Sequence, residues 1–376
     1  MGRERYDVAV VGAGPAGSAA ALAARRAGAR VLLLDRVGFP RDKPCGDGIA
    51  ADAFDILAGL GVTGLTDGFP PNDGLRLVGP GGAAVARTLR RPAHTIPRRV
   101  FDARLVASAV EVGADLVRHR VRTITDDGGG RVVIDDRFEA GVVIGADGAG
   151  SVVRRLLGHP VNPEGHLAIA IRGYAPTAAS EQVIVTTRAR WPAYAWSFPI
   201  GDGTANIGYG EVLRGVPLSR AYLLDRLGEL LPGSEPTGLR GHHLPLSTRR
   251  PVPARGRVLL AGDALSLINP FTGEGIFYAV LSGALAGATA ATGPNGVAMR
   301  YRTALSRRLG RHLRHSNLVA RLSRQPRVVD AAIRAAAKDR AVFDRMAGLG
   351  LGDGLLDPRT IGRITSAMFH RAAVTP

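Results

Sequence analysis

The sequence predicts an α/β protein with three parts: a Rossmann-like domain built on a parallel sheet, an antiparallel-sheet domain inserted into it, and a helical C-terminal tail. Three observations predict this. The apolar run Tyr6–Val11 enters Gly12-Ala13-Gly14-Pro15-Ala16-Gly17 and then an Ala-rich helical stretch ending near Gly28. A second strand end of the same kind, Val258-Leu259-Leu260-Ala261-Gly262-Asp263-Ala264, lies far downstream. Between them, residues 161–250 change texture to short strands alternating with Gly/Pro turns, the pattern of an antiparallel sheet.

Taken in order, the first strand, the Gly-x-Gly-x-x-Gly turn, the helix and a second strand Val31–Leu34 closed by Asp35 form a dinucleotide fingerprint. Gly12, Gly14 and Gly17, with Ala16 between them, let backbone approach a pyrophosphate whose charge rests on the helix N-terminus. Asp35 stands at the usual place, about 20 residues on, for an acid that takes ribose hydroxyls, and Arg36 follows it. Alternating strands and helices in 1–75, 98–160 and 251–300 imply one discontinuous parallel-sheet domain. Residues 76–97 are expected to add strands to the sheet of 161–250, whose strands are read at Leu167–Arg172, Gln182–Thr186, Ala193–Pro199 and Thr204–Tyr209. Leu223, Leu224, Leu227, Leu230 and Leu231 recur at helical spacing within 218–232. From 297 onward Leu305, Leu309 and Leu313 mark helix again, and the Gly-rich stretch 348–358 is expected to be a loop.

Composition narrows the setting. The single cysteine, Cys45, excludes an internal disulfide and suits a reducing, cytoplasmic home. Gly2-Arg3-Glu4-Arg5 leads straight into the first strand, so no secretory leader is expected. The longest uncharged run, from Gly275 to about Ala298, is interrupted by glycines, a Pro and an Asn and reads as a buried helix and turn rather than a membrane span. Net charge is +17, with only Lys43 and Lys338 as lysines. Residues 300–376 hold 16 Arg and Lys against 5 Asp. This basic region, 301–376, is either a solvated face or a surface for an anionic bilayer or acidic substrate, which would hold the protein peripherally at the inner face of the membrane. No nucleic-acid motif or aromatic interleaving accompanies it, and no metal-ligand set is assigned.

Two Rossmann-like strand ends in one chain suggest one long cofactor held at both ends. With Val142-Val143-Ile144-Gly145-Ala146-Asp147-Gly148 between them, Ser151 and Arg154 beyond it, and Arg98-Arg99-Val100-Phe101-Asp102 before it, the chain resembles the FAD-dependent p-hydroxybenzoate hydroxylase-like flavoproteins. Arg41-Asp42-Lys43-Pro44-Cys45-Gly46-Asp47-Gly48-Ile49, Asn269-Pro270-Phe271-Thr272-Gly273-Glu274-Gly275-Ile276, and Tyr194-Ala195-Trp196-Ser197-Phe198-Pro199 followed by Gly208-Tyr209-Gly210 narrow the resemblance to the geranylgeranyl reductase family. The resemblance implies FAD as cofactor. It implies contacts from Arg98, Asp147, Gly262 and Asp263 along the cofactor, and from Cys45, Gly46, Pro270, Gly273, Gly275 and Ile276 near its ring.

Side chains alternate along a strand, so Tyr194, Trp196 and Phe198 share one face. That apolar wall, with a hydroxyl and an indole N–H as polar tips, suits a long apolar substrate; an ordinary sheet core is the other reading. Gly208 and Gly210 are grouped with it by the family pattern. Cys45, Tyr194 and Trp196 are the catalytic candidates, Cys45 and Tyr194 on the proton side; a small buried hydrophobe is the other reading of Cys45. Glu274 is either a buried acid beside the ring or a helix-start charge, and His242 and His243 read as structural. The implied activity is reduction of carbon–carbon double bonds in an isoprenoid-like substrate, with NADPH or a small redox protein as electron donor. The alternatives are a monooxygenase, a non-catalytic FAD-binding surface protein, and a flavin halogenase. The last needs a catalytic lysine that a chain with only Lys43 before Lys338 does not offer.

Overall fold

The structure is a computed structural model describing residues 3–126, 130–188, 192–215 and 218–369. The chain opens with β1 (Glu4–Val11), α1 (Pro15–Arg26) and β2 (Val31–Asp35), then β3 (Gly48–Ile49), α2 (Ala51–Gly59), β4 (Pro71–Val78) and β5 (Ala84–Thr95). It continues through α3 (Arg98–Glu111), β6 (Asp115–Arg118), β7 (Ile124–Asp126), β8 (Val132–Ile134), β9 (Phe138–Gly145) and α4 (Val152–Leu156). Next come β10 (Leu167–Pro176), β11 (Gln182–Thr186), β12 (Ala193–Pro199), β13 (Thr204–Val212), α5 (Arg220–Leu230) and β14 (Thr237–Pro245). The last part is β15 (Ala254–Arg255), β16 (Val258–Leu260), α6 (Ile276–Ala291), α7 (Val297–Leu322), α8 (Pro326–Lys338), α9 (Arg340–Leu351) and α10 (Pro358–Phe369).

Among the described residues these strands form two eight-stranded sheets. The first has the order β15-β16-β9-β1-β2-β6, with the β7–β8 hairpin attached through β8 to β9. Its central strands are parallel, and β2 is buried along its whole length, as a parallel strand covered on both faces must be. The second sheet runs β14-β10-β13-β12-β11-β4-β5-β3. It is antiparallel except where β11 lies parallel to β4, because β4 and β5 reach it from a separate part of the chain. The strand expected from residue 76 onward begins earlier, at Pro71, and Gly48–Ile49 adds an edge strand that the sequence did not announce.

Helix α5 covers one face of the second sheet through Leu223 and Leu227 against Ala195 and Tyr209. Helices α8 and α9 cover β4 and β5 through Ile333 and Phe343. The C-terminal region is therefore packed rather than appended: Tyr301 donates to the Leu260 carbonyl at 2.8 Å and Asn269 to that of Leu349 at 3.0 Å. Residues 370–376 of that region lie outside the described residues. The loop expected over 348–358 starts later, because α9 runs on to Leu351, where Thr272 Oγ1 donates to the Gly350 carbonyl at 2.7 Å.

Helices α1 and α6 lie side by side in the core, at a separation only small residues permit. A Cβ on Gly283 would lie 2.0 Å from the Ala16 carbonyl oxygen, and one on Gly287 2.1 Å from that of Ala20. Gly287→Ala must push these backbones apart, so it is expected to destabilise the fold by ~1–3 kcal/mol or more. Urea unfolding checks this, and an unchanged midpoint would refute the contact.

Candidate active site

The carboxyl ends of β1, β2, β9 and β16 open into one cleft of about 810 Å³ between the two sheets. Gly12, at the end of β1, has φ +99°, and a side chain there would strike the Ala146 carbonyl 2.5 Å away. Helix α1 begins after Gly14 with no side-chain cap and no acid in its first turn, so its N–H groups face the cleft unanswered. A Cβ on Gly14 would meet Arg41 Nη2 at 3.5 Å and Arg98 Nη2 at 3.9 Å, so both guanidinium groups overhang that helix end. Arg98 is buried at 2% exposure and paired with Asp102 at 2.5 and 2.8 Å. Arg41 reaches Asp102 at 3.3 Å, while its Nε is buried without a partner. Asp35 accepts from Ala13 N at 2.9 Å and Val37 N at 3.0 Å, and carboxylate lone pairs remain for sugar hydroxyls.

The loop Arg41–Ile49 bridges the sheets. Lys43 Nζ lies 3.2 Å from Asp263, just beyond β16. Burial alone would raise the Asp263 pKa, but Lys43, His242 and Arg98 together hold it below the ordinary value. Asp42 pairs with the buried Arg172 of β10. Asp47 sits at φ +61°, fully buried, accepting from the Tyr174 hydroxyl at 2.7 Å and Asn206 Nδ2 at 2.8 Å. Burial pushes its pKa up to about 6. Asn206 also donates to the Cys45 carbonyl at 2.8 Å and accepts from Trp196 Nε1 at 2.9 Å. Burial raises the Cys45 thiol, which therefore stays neutral.

The aromatic residues of β12 line the cleft, with Tyr194 and Trp196 rings 5.9 Å apart and Trp196 and Phe198 6.5 Å apart. Their polar tips are already engaged, Trp196 by Asn206 and Tyr194 by the Thr272 carbonyl at 2.5 Å. The wall shown to the cleft is thus more apolar than the sequence suggested. Glu274 combines its two expected characters: it lines the cleft, and it accepts from Phe277 N at 2.8 Å at the start of α6. Burial, opposed by the Phe277 and Ile276 N–H groups and by Arg98, pushes its pKa up to about 7.

Of the residues singled out from the sequence, Gly12, Gly14, Ala16, Asp35, Arg36, Cys45, Gly46, Arg98, Asp147, Tyr194, Trp196, Phe198, Asp263, Gly273, Gly275 and Ile276 line this cleft. Asp147 does so with its carboxylate engaged by the α4 N-terminus, through Ser151 Oγ at 2.5 Å and Val152 N at 2.6 Å. Five others stand outside it. Gly17 and Gly262 serve close packing: a Cβ would lie 1.7 Å from the Gly12 oxygen in one case and 3.0 Å from Ala16 Cβ in the other. Gly208 makes room for the Trp196 indole, which a Cβ would meet at 2.2 Å, while Gly210 and Pro270 line a separate small pocket. Sequence reasoning missed Arg41, Lys43, Asp47, Arg172, Asn206 and His242. The first three lie inside a motif already noticed, whereas only the fold brings Arg172 and Asn206 to it. His242, read as structural, lines the cleft with its Nε2 buried and unpartnered, and burial next to Lys43 lowers its pKa to about 4.

A cationic rim over an uncapped helix N-terminus, a ribose-type acid, an orphaned donor on Arg41 and an unpartnered ring nitrogen on His242 fit a long dinucleotide with a diphosphate. The cleft volume falls within the ~300–1,000 Å³ range of ligand sites. A profile of the FAD binding domain matches residues 5–190. A menaquinone reductase of Mycolicibacterium smegmatis is 36% identical over 75% of this chain and 75% of its own. Digeranylgeranylglycerophospholipid reductase 1 of Methanopyrus kandleri is 35% identical over 76% of this chain and 80% of its own. The chain belongs to the geranylgeranyl reductase family. A geranylgeranyl bacteriochlorophyll reductase-like structure from Thermoplasma acidophilum shares the fold with a TM-score of 0.80, at 21% identity over 97% of this chain and 100% of that one. The protein is an FAD-dependent oxidoreductase.

Glu274 gives the fold a pH signature. Its folded pKa of about 7 lies above the ordinary 4.5, so its contribution is full below 4.5 and lost as pH rises through 7. Glu274→Gln is expected to shrink that decline by on the order of 3 kcal/mol, leaving the comparable share of Asp47 and that of Asp147, both also raised by burial. Urea midpoints measured across the window check it, and parallel wild-type and variant profiles would sink it.

Proposed function

We propose that this oxidoreductase saturates carbon–carbon double bonds in the chain of an isoprenoid-like apolar substrate. The aromatic wall of β12 carries the reading. It faces the cleft with its polar tips turned into the protein, and it touches the Cys45 loop, where a Cβ on Gly46 would lie 3.4 Å from both Phe198 and Trp196. Such a surface holds an alkene by shape and dispersion and excludes water. The names of the relatives support it, since menaquinone and geranylgeranyl compounds carry polyprenyl chains.

Bound FAD, when reduced, supplies the hydride; the protein's share is orientation and the proton. Arg41, Arg98 and the α1 N-terminus hold the diphosphate, and Asp35 and Asp263 take sugar and ribityl hydroxyls. Tyr194, Trp196 and Phe198 orient the chain. Among the three acids beside them, burial raises Cys45 and Tyr194 above their ordinary values, which makes both weak donors at neutral pH. Glu274, at about 7, matches the task better, and Phe277 N–H stabilises the carboxylate left behind. Electrons reach the cofactor from NADPH or a small redox protein.

Anaerobically reduced holoprotein should be reoxidised by a polyprenyl alkene, with a rate falling as pH rises through about 7 and a slow, pH-flat rate in Glu274→Gln. Reoxidation by oxygen alone, with a hydroxylated product, would make the protein a monooxygenase instead.

No helix of the described residues is long and apolar enough to cross a membrane. Exposed Leu318 and Leu322 on α7 and Ile361, Met368 and Phe369 on α10, in a region where arginines outnumber acids even after the Arg308–Asp353 and Arg363–Asp339 pairs, support peripheral binding to anionic bilayers. Sedimentation with vesicles containing phosphatidylglycerol should exceed that with phosphatidylcholine vesicles. Equal sedimentation would remove this reading. Deleting the region beyond residue 300 is no test, because Tyr301 and α9 are part of the core.

A further inference from the structure

The second sheet presents its side chains to the cleft in rows, and one row joins His242 to Tyr194. His242 of β14 pairs with Ala170 of β10, Ala170 with Gly210 of β13, and Gly210 with Tyr194 of β12. Residues paired across strands project to the same face, and three strand spacings set the two ends of the row about 14 Å apart. Only a methyl group and a glycine stand between them, and a Cβ on Gly210 would meet Ala170 Cβ at 3.3 Å. The row is a bare floor with a tyrosine at one end and an imidazole at the other. His242, Ala170 and Tyr194 all line the cleft. The imidazole is the unsatisfied member: its Nε2 is buried with no hydrogen-bond partner among the described residues. The cations whose charge it feels are answered elsewhere, Lys43 by Asp263 at 3.2 Å and Arg98 by Asp102 at 2.5 and 2.8 Å. Burial, and then Lys43, keeps the ring uncharged, so a ligand that meets it sets which nitrogen carries the proton. Lys43, Asp263 and Arg98 belong to the cofactor end of the cleft, which makes FAD rather than the substrate the partner of this nitrogen.

We propose that His242 donates a hydrogen bond from Nε2 to bound FAD and makes the reduced cofactor bind more tightly than the oxidised one. Two electrons and one proton entering FAD leave one negative charge on its ring system. An N–H aimed at that charge stabilises it more after reduction than before. NADPH delivers the electrons and proton together as hydride; a small redox protein delivers electrons, with the proton drawn from water. No bond to the imidazole forms or breaks in either case. A neutral donor also suits the place, because it leaves no unpaired charge beside the apolar floor when the cofactor is oxidised. The inference stands on FAD binding and does not depend on alkene reduction.

The test uses full-length holoprotein and needs no substrate. Flavin fluorescence on titration gives the affinity for oxidised FAD, and equilibration with a reference dye gives the two-electron midpoint potential; together they yield the affinity for the reduced form. His242→Leu should weaken the reduced form about tenfold more than the oxidised one, a shift of about 30 mV to more negative potential. His242→Gln, whose amide N–H takes the place of the Nε2 donor, should restore most of that shift. His243→Leu, exposed on the opposite face of β14, should leave the potential unchanged. Should His242→Leu fail to fold, His242→Phe, a ring without a donor, is read by the same criteria. An unchanged potential in the donorless variant would overturn the proposal, whether oxidised FAD binds as before or more weakly. So would an equal shift in His242→Gln, which would tie the effect to packing rather than to the donated hydrogen bond.

Discussion

The close packing of α1 against α6 is the constraint on which the rest of the molecule depends. These helices lie far apart in the sequence, and each follows a glycine turn at the cleft: Gly12–Gly14 before α1, Gly273–Gly275 before α6. Gly283 and Gly287 bring α6 backbone against the carbonyls of Ala16 and Ala20. The two turns are thereby fixed side by side at the carboxyl ends of β1 and β16, the position where open α/β sheets bind ligands. Everything between, including the whole second sheet, is an excursion that must leave and return without disturbing that contact. Adding one methyl group on either glycine would act on both turns at once.

The Arg41–Ile49 loop then converts two sheets into one site. It leaves β2 and is fastened on three sides: Lys43 to Asp263, Asp42 to Arg172, and Asp47 to Tyr174 and Asn206. Each partner is buried or nearly so, which makes an unpaired member costly and the arrangement unique. The positive φ of Asp47 shows backbone strain held in place by that network, and it lies within two residues of Cys45. Trp196 joins the same system through Asn206, so the aromatic wall of β12 and the Arg41–Ile49 loop share one hydrogen-bond network.

Much of this was legible in the chain because the relevant signals are local. Buried parallel strands ending in glycine turns announce themselves through apolar runs and punctuation, and β11 and β12 fall at the residues expected from alternation alone. What stayed hidden is long-range. Arg172 and Asn206 carry no local mark, since a polar residue facing inward on a strand looks like one facing out until the partner strand is placed. Gly208 and Gly210 were grouped with the substrate from their motif, yet Gly208 is there to seat Trp196. His242 was set aside as structural, yet it stands on the edge strand β14, paired beside Ala170 of β10, and both line the cleft. The C-terminal arginines suggested a tail because charge density says nothing of packing; amphipathic helices can be rich in arginine and still cover β4 and β5.

The cleft divides electrostatically, and the division follows from the sheets that form it. Strand ends of the first sheet contribute helix N–H groups and overhanging arginines, a region that stabilises negative charge. The second sheet contributes aromatic faces whose polar atoms are turned inward. At the seam, beside the charged Lys43–Asp263 pair, burial holds three other groups at or near their neutral forms: a thiol at Cys45, an uncharged imidazole at His242, and at Glu274 a carboxyl poised near neutrality. An unpaired charge on the aromatic wall would repel an apolar chain, and a permanently neutral group could not exchange a proton. Glu274 satisfies both demands because burial destabilises its anion while the α6 N–H groups keep that anion accessible. The same two opposing forces would place the proton beside the apolar wall, where a saturating double bond requires it.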